Sequence, residues 1–177
     1  VALGLMPTGN ILCGLACIGT GVVAVGSEHT HPPRSTVGKH WRRLRRLIYP
    51  RLAAESALTH ESAEWVRSQT GVRNAPVIPN PIPYPIPDGE PAISPVDVKA
   101  RLGGERILLA VGRLAHNKAL DRLLAAFSAI HENHPEWRLI ILGEGPLRQE
   151  LERYRDKCGV SGSVAMPGAV GNIGAWY

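Results

Sequence analysis

Apolar and polar positions alternate along the chain in runs that predict a succession of strands and helices. Short apolar runs at residues 1–5 and 22–26 read as buried strands, with the small-residue stretch 10–18 between them as a helix. A second helix falls within 34–49 and stops at Pro50, whose ring obstructs continuation. Residues 57–59 form a short strand, 62–69 a helix ending at Gly71, and 76–78 another strand. After a proline-dense break the alternation resumes with a strand at 106–111. Leu120, Leu123, Leu124, Phe127 and Ile130 then recur at helical spacing. A strand follows at 137–142, and Pro146 opens a helix at its favoured first-turn position. That helix carries Leu147, Leu151 and Tyr154 on one face and ends at Gly159, before a last strand at 163–166. Strands separated by helices require right-handed crossovers and a parallel sheet.

The break divides the chain. Seven of the 15 prolines lie in residues 79–95, a spacing that excludes an interior strand or helix and favours an extended, semi-rigid connector. The expected fold class is α/β, with two partial Rossmann-like parallel-sheet domains, 1–78 and 98–177, joined by a Pro-rich linker at 79–97. A proline-rich surface loop inside a single domain is the alternative.

Composition narrows the class. The 177 residues are 44% hydrophobic, a globular share that argues against a disordered chain. Residues 1–25 carry no charged side chain, yet Gly4, Pro7, Gly9, Gly14, Gly19 and Gly21 interrupt them and no basic segment precedes them. They are expected to be buried core rather than a signal peptide or a spanning helix, which needs roughly 20 apolar residues in a row. Cys13, Cys17 and Cys158 are odd in number and fit neither a redox nor a zinc pair, so they read as small hydrophobes in a reducing compartment. The chain opens on Val1 and closes in mid-pattern, and reads as a fragment.

The net charge of +5 is unevenly placed. Residues 1–78 hold nine basic and four acidic side chains, 79–97 only three acids, and 98–177 eleven basic and eight acidic ones. Seven cations and no anion lie between Arg34 and Arg51, a local positive field that predicts an anionic partner.

The richest segment for chemistry is 111–118, Val-Gly-Arg-Leu-Ala-His-Asn-Lys. A buried strand ends at Gly112 and an amphipathic helix begins near residue 119. Ligands of open α/β sheets bind beyond the carboxyl ends of the strands, where the next helix offers free amides and its positive dipole end. Gly112 admits close approach of a ligand, and Arg113 and Lys118 add a fork and a point charge beside it. Such a site suits a diphosphate leaving group, whose negative charge grows as the bond breaks. Two solvated surface cations are the plainer reading. Two further segments follow in order: 142–148, Leu-Gly-Glu-Gly-Pro-Leu-Arg, and 164–168, Val-Ala-Met-Pro-Gly.

This ordered set resembles the nucleotide-sugar domain of family 4 (group 1) glycosyltransferases, which have the two-domain GT-B fold. The resemblance covers essentially the whole chain, with 1–78 as the end of the acceptor domain, 77–81 as the junction and 98–177 as the start of the donor domain. It implies a transferase that moves a sugar from a nucleotide-diphosphate donor, a UDP-sugar, to a glycan or lipid-linked acceptor with retention. It also implies no metal and no cofactor beyond the nucleotide sugar as co-substrate. Arg113 and Lys118 would hold the diphosphate, and Gly112, Gly143, Glu144, Gly145, Met166 and Gly168 would border the donor. The family's Gly after the Lys is Ala119 here, and its two glutamates eight positions apart are not among these residues. The resemblance therefore implies that this piece alone is inactive and that the full-length parent is the enzyme.

Residues 27–33, Ser-Glu-His-Thr-His-Pro-Pro, follow a strand and resemble the family segment in which a His faces the donor sugar. His29 is the match and is counted with Arg113 and Lys118 as catalytic, while Glu28 would orient it or contact acceptor. A loop His and Glu satisfied by backbone are the simpler account. A metal site from His29 and His31 lacks a third ligand of suitable spacing. Residues 39–48 form an amphipathic helix, with Trp41, Leu44, Leu47 and Ile48 on one arc and Lys39, Arg42, Arg43, Arg45 and Arg46 opposite. This is either a packed helix with a solvated cationic face or a surface for anionic lipid or a lipid-diphosphate acceptor. Nucleic acid is disfavoured because aromatics are not interleaved with the cations. The expected location is cytoplasmic, peripheral at the inner membrane face. The rival to the enzyme is a non-catalytic α/β module that binds a membrane or polyanion through this helix.

Overall fold

The computed structural model describes residues 1–30 and 38–177, in two compact units, Val1–Pro81 and Ile82–Tyr177. His31, half of the disfavoured metal pair, and Arg34, the first of the seven clustered cations, lie outside the described residues.

The first unit runs β1 (Ala2–Leu5), α1 (Met6–Ala16), β2 (Ala24–Glu28), α2 (Lys39–Ile48), β3 (Ala54–Ala57) and α3 (His60–Thr70). Its sheet is parallel in the order β1-β2-β3, with Ala2 opposite Ala24 and Val25 opposite Ala54. Helix α1 starts four residues earlier than the sequence pattern indicates. Pro7 sits in its first turn, where a missing N–H costs nothing, and Met6 turns the chain sharply from strand to helix with φ 65°. The strand expected at 22–26 is displaced toward Glu28, leaving Val22 and Val23 exposed. The strand expected at 57–59 lies instead at Ala54–Ala57. A charged Glu55 hid it, and Thr59 caps α3 by accepting from the Ser62 amide at 3.2 Å. Residues 76–78 contribute one parallel bridge, Ala57 to Val77, rather than a full strand. Ile11, Ala24, Ile48, Tyr49, Leu52, Ala63 and Val66 form this unit's core.

The second unit runs α4 (Pro95–Leu102), β4 (Arg106–Val111), α5 (Leu120–His131), β5 (Trp137–Leu142), α6 (Arg148–Lys157) and β6 (Val164–Gly168), with a parallel sheet in the order β4-β5-β6. The central strand β5 is apolar and buried from Leu139 to Leu142 because both its faces are covered there. Leu139 and Ile141 join Leu114, Leu124, Phe127, Leu151 and Val164 on one side. Ile140 and Leu142 meet Val98 of α4, Ile173 and Trp176 on the other. Strand β4 and helix α5 have the bounds their periodicity predicts, whereas α6 begins at Arg148 and Pro146 remains in the preceding turn.

The proline-dense segment has no regular element from 79 to 88. Its end, however, is built into the second unit. The Gly89 amide donates to the Gly171 carbonyl at 3.0 Å, the Gly171 amide to Pro91 at 2.8 Å, and Ile93 exchanges two bonds with the Asn172 side chain, both 3.0 Å. Helix α4, absent from the sequence reading, starts within it: Ser94 accepts from the Asp97 amide at 3.2 Å and Pro95 takes the first helical position.

Candidate functional site

Three turns leave the carboxyl ends of β4, β5 and β6, and main-chain hydrogen bonds join them. The Gly112 amide donates to Leu142 at 2.9 Å, Leu114 to Glu144 at 2.9 Å, Leu147 to Leu114 at 3.1 Å, and Gly143 to Gly168 at 2.8 Å. Gly143 is required here: its φ is 136°, and any side chain would overlap the Gly112 carbonyl. The structure thus brings Gly112, Gly143, Glu144, Gly145, Met166 and Gly168 into one rim. Met166 contributes main chain only, since its side chain is buried in the core.

Arg113 and Lys118 stand on the first turn. Both are exposed, and neither side chain has a hydrogen-bond or ion-pair partner among the described residues. The Lys118 stem packs over Gly112, with its Cγ, Cδ and Cε 3.8–3.9 Å from where a Gly112 Cβ would lie. Between Lys118 and α5 the chain turns through Ala119 at φ 50°, ψ 40°, a left-handed conformation usually left to glycine. No side chain caps the N-terminus of α5, and while the Arg122 amide bonds the Ala119 carbonyl at 3.1 Å, the Leu120 and Asp121 amides have no partner among the described residues.

One side chain absent from the predicted set binds the rim together. Arg148, at the start of α6, donates from Nε to Glu144 Oε2 at 2.8 Å and pairs through Nη2 with Glu144 Oε1 at 2.6 Å. It also donates to the Met166 carbonyl at 3.1 Å, to the Gly143 carbonyl at 3.3 Å and to Glu152 Oε1 at 2.7 Å. The Arg148 hydrogen bond holds the Glu144 carboxyl below the usual carboxylate range. The sequence signal for Arg148 was its place four residues after Glu144, the spacing of a helical ion pair.

In the first unit, His29 is exposed just past β2, and its Nε2 lies 3.0 Å from the Ser27 hydroxyl, which in turn accepts from Ser56 at 2.8 Å. Glu28 does not face an acceptor. It is 1% exposed and accepts from the Thr30 hydroxyl at 2.8 Å and from Tyr49 at 3.5 Å. The Glu28 carboxyl is pushed up by burial.

Arg45 likewise departs from its expected solvated face. It is 6% exposed, its guanidinium 4.7 Å from the Trp65 ring centroid. The inward stripe of α2 is Trp41, Leu44, Arg45 and Ile48, at helical spacing, while Leu47 is 60% exposed. The Arg45 charge opposes the upward shift of the buried Glu28 and Glu55 carboxyls, while its Nη1 has no hydrogen-bond partner among the described residues. Lys39, Arg42, Arg43 and Arg46 remain exposed.

Glu55, also absent from the predicted set, is fully buried beneath Gly26, where any side chain would overlap its carboxyl. Asn10 Nδ2 donates to Glu55 Oε1 at 2.6 Å, but Oε2 has no partner among the described residues. Desolvation pushes its pKa up to about 8, with Glu28 adding repulsion. Asn10 and Glu55 were legible only as polar residues inside apolar runs.

Residues 96–177 match the family described as glycosyl transferases group 1. Over 178 aligned residues, all of this chain and 46% of the relative, it is 31% identical to a Campylobacter jejuni enzyme, the GalNAc-alpha-(1->4)-GalNAc-alpha-(1->3)-diNAcBac-PP-undecaprenol alpha-1,4-N-acetyl-D-galactosaminyltransferase. A 63-residue stretch, 36% of this chain and 14% of the relative, is 36% identical to the phosphatidylinositol N-acetylglucosaminyltransferase gpi3 subunit of Schizosaccharomyces pombe. Anabaena HepE, solved with UDP and glucose, matches at TM-score 0.77 and 17% identity over 98% of this chain and 49% of its own. Sucrose-phosphate synthase of Thermosynechococcus elongatus matches at TM-score 0.74 and 13% identity over 99% and 47%. At those identities the two structures bear on fold alone. The chain spans about half the length of the Campylobacter, Anabaena and Thermosynechococcus proteins. Residues 96–177 thus carry the group 1 glycosyl transferase match, the whole chain is similar in sequence to a glycosyltransferase, and its two parallel α/β units have the GT-B type of fold.

Proposed function

We propose that the protein carrying this chain transfers a sugar from a nucleotide-diphosphate donor, a UDP-sugar, to a glycan or lipid-linked acceptor with retention of configuration. The observation that carries this reading is the joined rim at the carboxyl edge of β4-β5-β6, with Arg113 and Lys118 exposed and unpartnered on its first turn. The two cations and the open amides of α5 would take up charge as the diphosphate leaves, and such preorganised charge lowers a barrier most where charge develops. His29, anchored through Ser27, would position the sugar. No cofactor is invoked; the nucleotide sugar is a co-substrate. The undecaprenol diphosphate in the name of the Campylobacter enzyme favours a lipid-linked acceptor.

Replacing both Arg113 and Lys118 with Ala in the full-length protein is expected to reduce transfer by at least about 100-fold, the scale of losing transition-state donors. Transfer at the unsubstituted rate would refute the phosphate assignment.

A second reading has its own support. Arg42, Arg43 and Arg46 are exposed on α2 beside Leu47, a combination suited to the headgroup region of an anionic leaflet. It fits a peripheral position at the cytoplasmic face and a lipid-linked acceptor. No helix among the described residues is long and apolar enough to cross a membrane.

A further inference from the structure

We infer that Arg148 is a positioning residue for the donor nucleotide, an inference that rests on the nucleotide-sugar reading and assigns that site its organising side chain. The guanidinium touches three residues of the rim, Gly143, Glu144 and Met166. It fixes the Glu144 carboxylate at two points, 2.8 and 2.6 Å, and the carbonyls of Gly143 and Met166 at 3.3 and 3.1 Å.

The four main-chain bonds among the turns leave the second and third joined at one point, the 2.8 Å bond from Gly143 to Gly168. Arg148 is the side-chain link across that same gap, since Gly143 and Glu144 belong to one turn and Met166 to the strand that ends at the other. It sits at the first position of α6, and its own amide donates to the Gly145 carbonyl at 3.2 Å, so its backbone is tied to both the helix and the turn it braces.

Two consequences follow for binding. The Gly143 and Met166 carbonyls are held by the protein and so keep their direction when a nucleotide arrives. The Glu144 carboxylate is neutralised by its partner, so an anion enters the neighbouring diphosphate site without facing an unpaired negative charge. A lysine would keep the positive charge but not the planar fork that reaches an acid and two carbonyls together.

The test compares Arg148→Lys, Arg148→Gln and Glu152→Gln in the full-length protein, with Arg113→Ala/Lys118→Ala as a control. The readouts are steady-state kinetics, calorimetric UDP affinity and thermal melting. For both Arg148 variants the expected result is a donor KM and a UDP Kd raised about tenfold, as for a lost network of charge-assisted bonds. The kcat should stay within about threefold and the acceptor KM unchanged. Glu152→Gln removes an ion pair of the same guanidinium outside the rim, so it should leave donor KM unchanged.

A folded Arg148→Lys with donor KM and UDP Kd within twofold of the unsubstituted protein would overturn the proposal, whatever its melting temperature. So would an equal rise in Glu152→Gln, which would make Arg148 a brace of α6 alone. If neither Arg148 variant folds, Glu144→Gln opens the same clamp from its exposed end; a severalfold rise in donor KM supports the proposal and no rise overturns it. Failure of the nucleotide reading itself looks different, because the Arg113/Lys118 control would then bind UDP as tightly as the unsubstituted protein.

Discussion

Glu55 is the carboxylic acid whose protonation the fold controls most plainly. Its pKa lies near 8 in the folded chain against an ordinary carboxylate value of 4.5, so the native state holds a proton that the unfolded chain releases between those values. Stability from this group is complete below about pH 4.5 and declines as pH rises through 8, by up to about 1.4 kcal/mol per pH unit. Glu28, raised in the same direction, adds to the decline, while Arg45 opposes it. Urea midpoints at pH 5.5, 7.0 and 8.5 should fall with pH, and Glu55→Gln, which needs no proton, should flatten the trend. An unchanged slope in the variant would place the dependence elsewhere. Ala119 offers a simpler test. Its left-handed backbone favours glycine, so Ala119→Gly should raise stability by about 1 kcal/mol, read as a shift in thermal midpoint.

Among the elements, α2 shows how a helix can bury a charge on its inner stripe. The sequence pattern identified the helix and its cationic outer face, but Arg45 occupies an inward position and no local rule says that two buried acids will meet it. Neutralising Arg42, Arg43 and Arg46 together with Gln should weaken salt-sensitive sedimentation with anionic vesicles while leaving the fold intact, because all three are exposed. Retained sedimentation would remove the membrane reading. Arg45→Gln should instead push Glu28 and Glu55 further toward their protonated forms, read as a steeper fall of the urea midpoint with pH. Strands β4 and β5 were legible because both are apolar runs framed by turn residues. Strand β3 was not, because Glu55 breaks its apolar run, and α4 was not, because Pro95 looked like part of the linker rather than a first-turn proline after a Ser94 cap.

At the scale of the whole chain, the alternation of strands and helices was enough to predict two parallel α/β units, since crossovers leave few other arrangements. The candidate site was legible in part. Glycines and cations at strand ends marked the turns, but the bond from Arg148 to the Met166 carbonyl and the Asn10–Glu55 pair are tertiary contacts that no spacing encodes. Substitutions at Arg113 and Lys118 should therefore affect transfer without moving the melting temperature, as both side chains lack partners among the described residues. The stitching of the three turns also bears on engineering. Lengthening any one of them by a single residue would drag its neighbours out of alignment, so a graft of this edge between homologous chains must carry all three turns together.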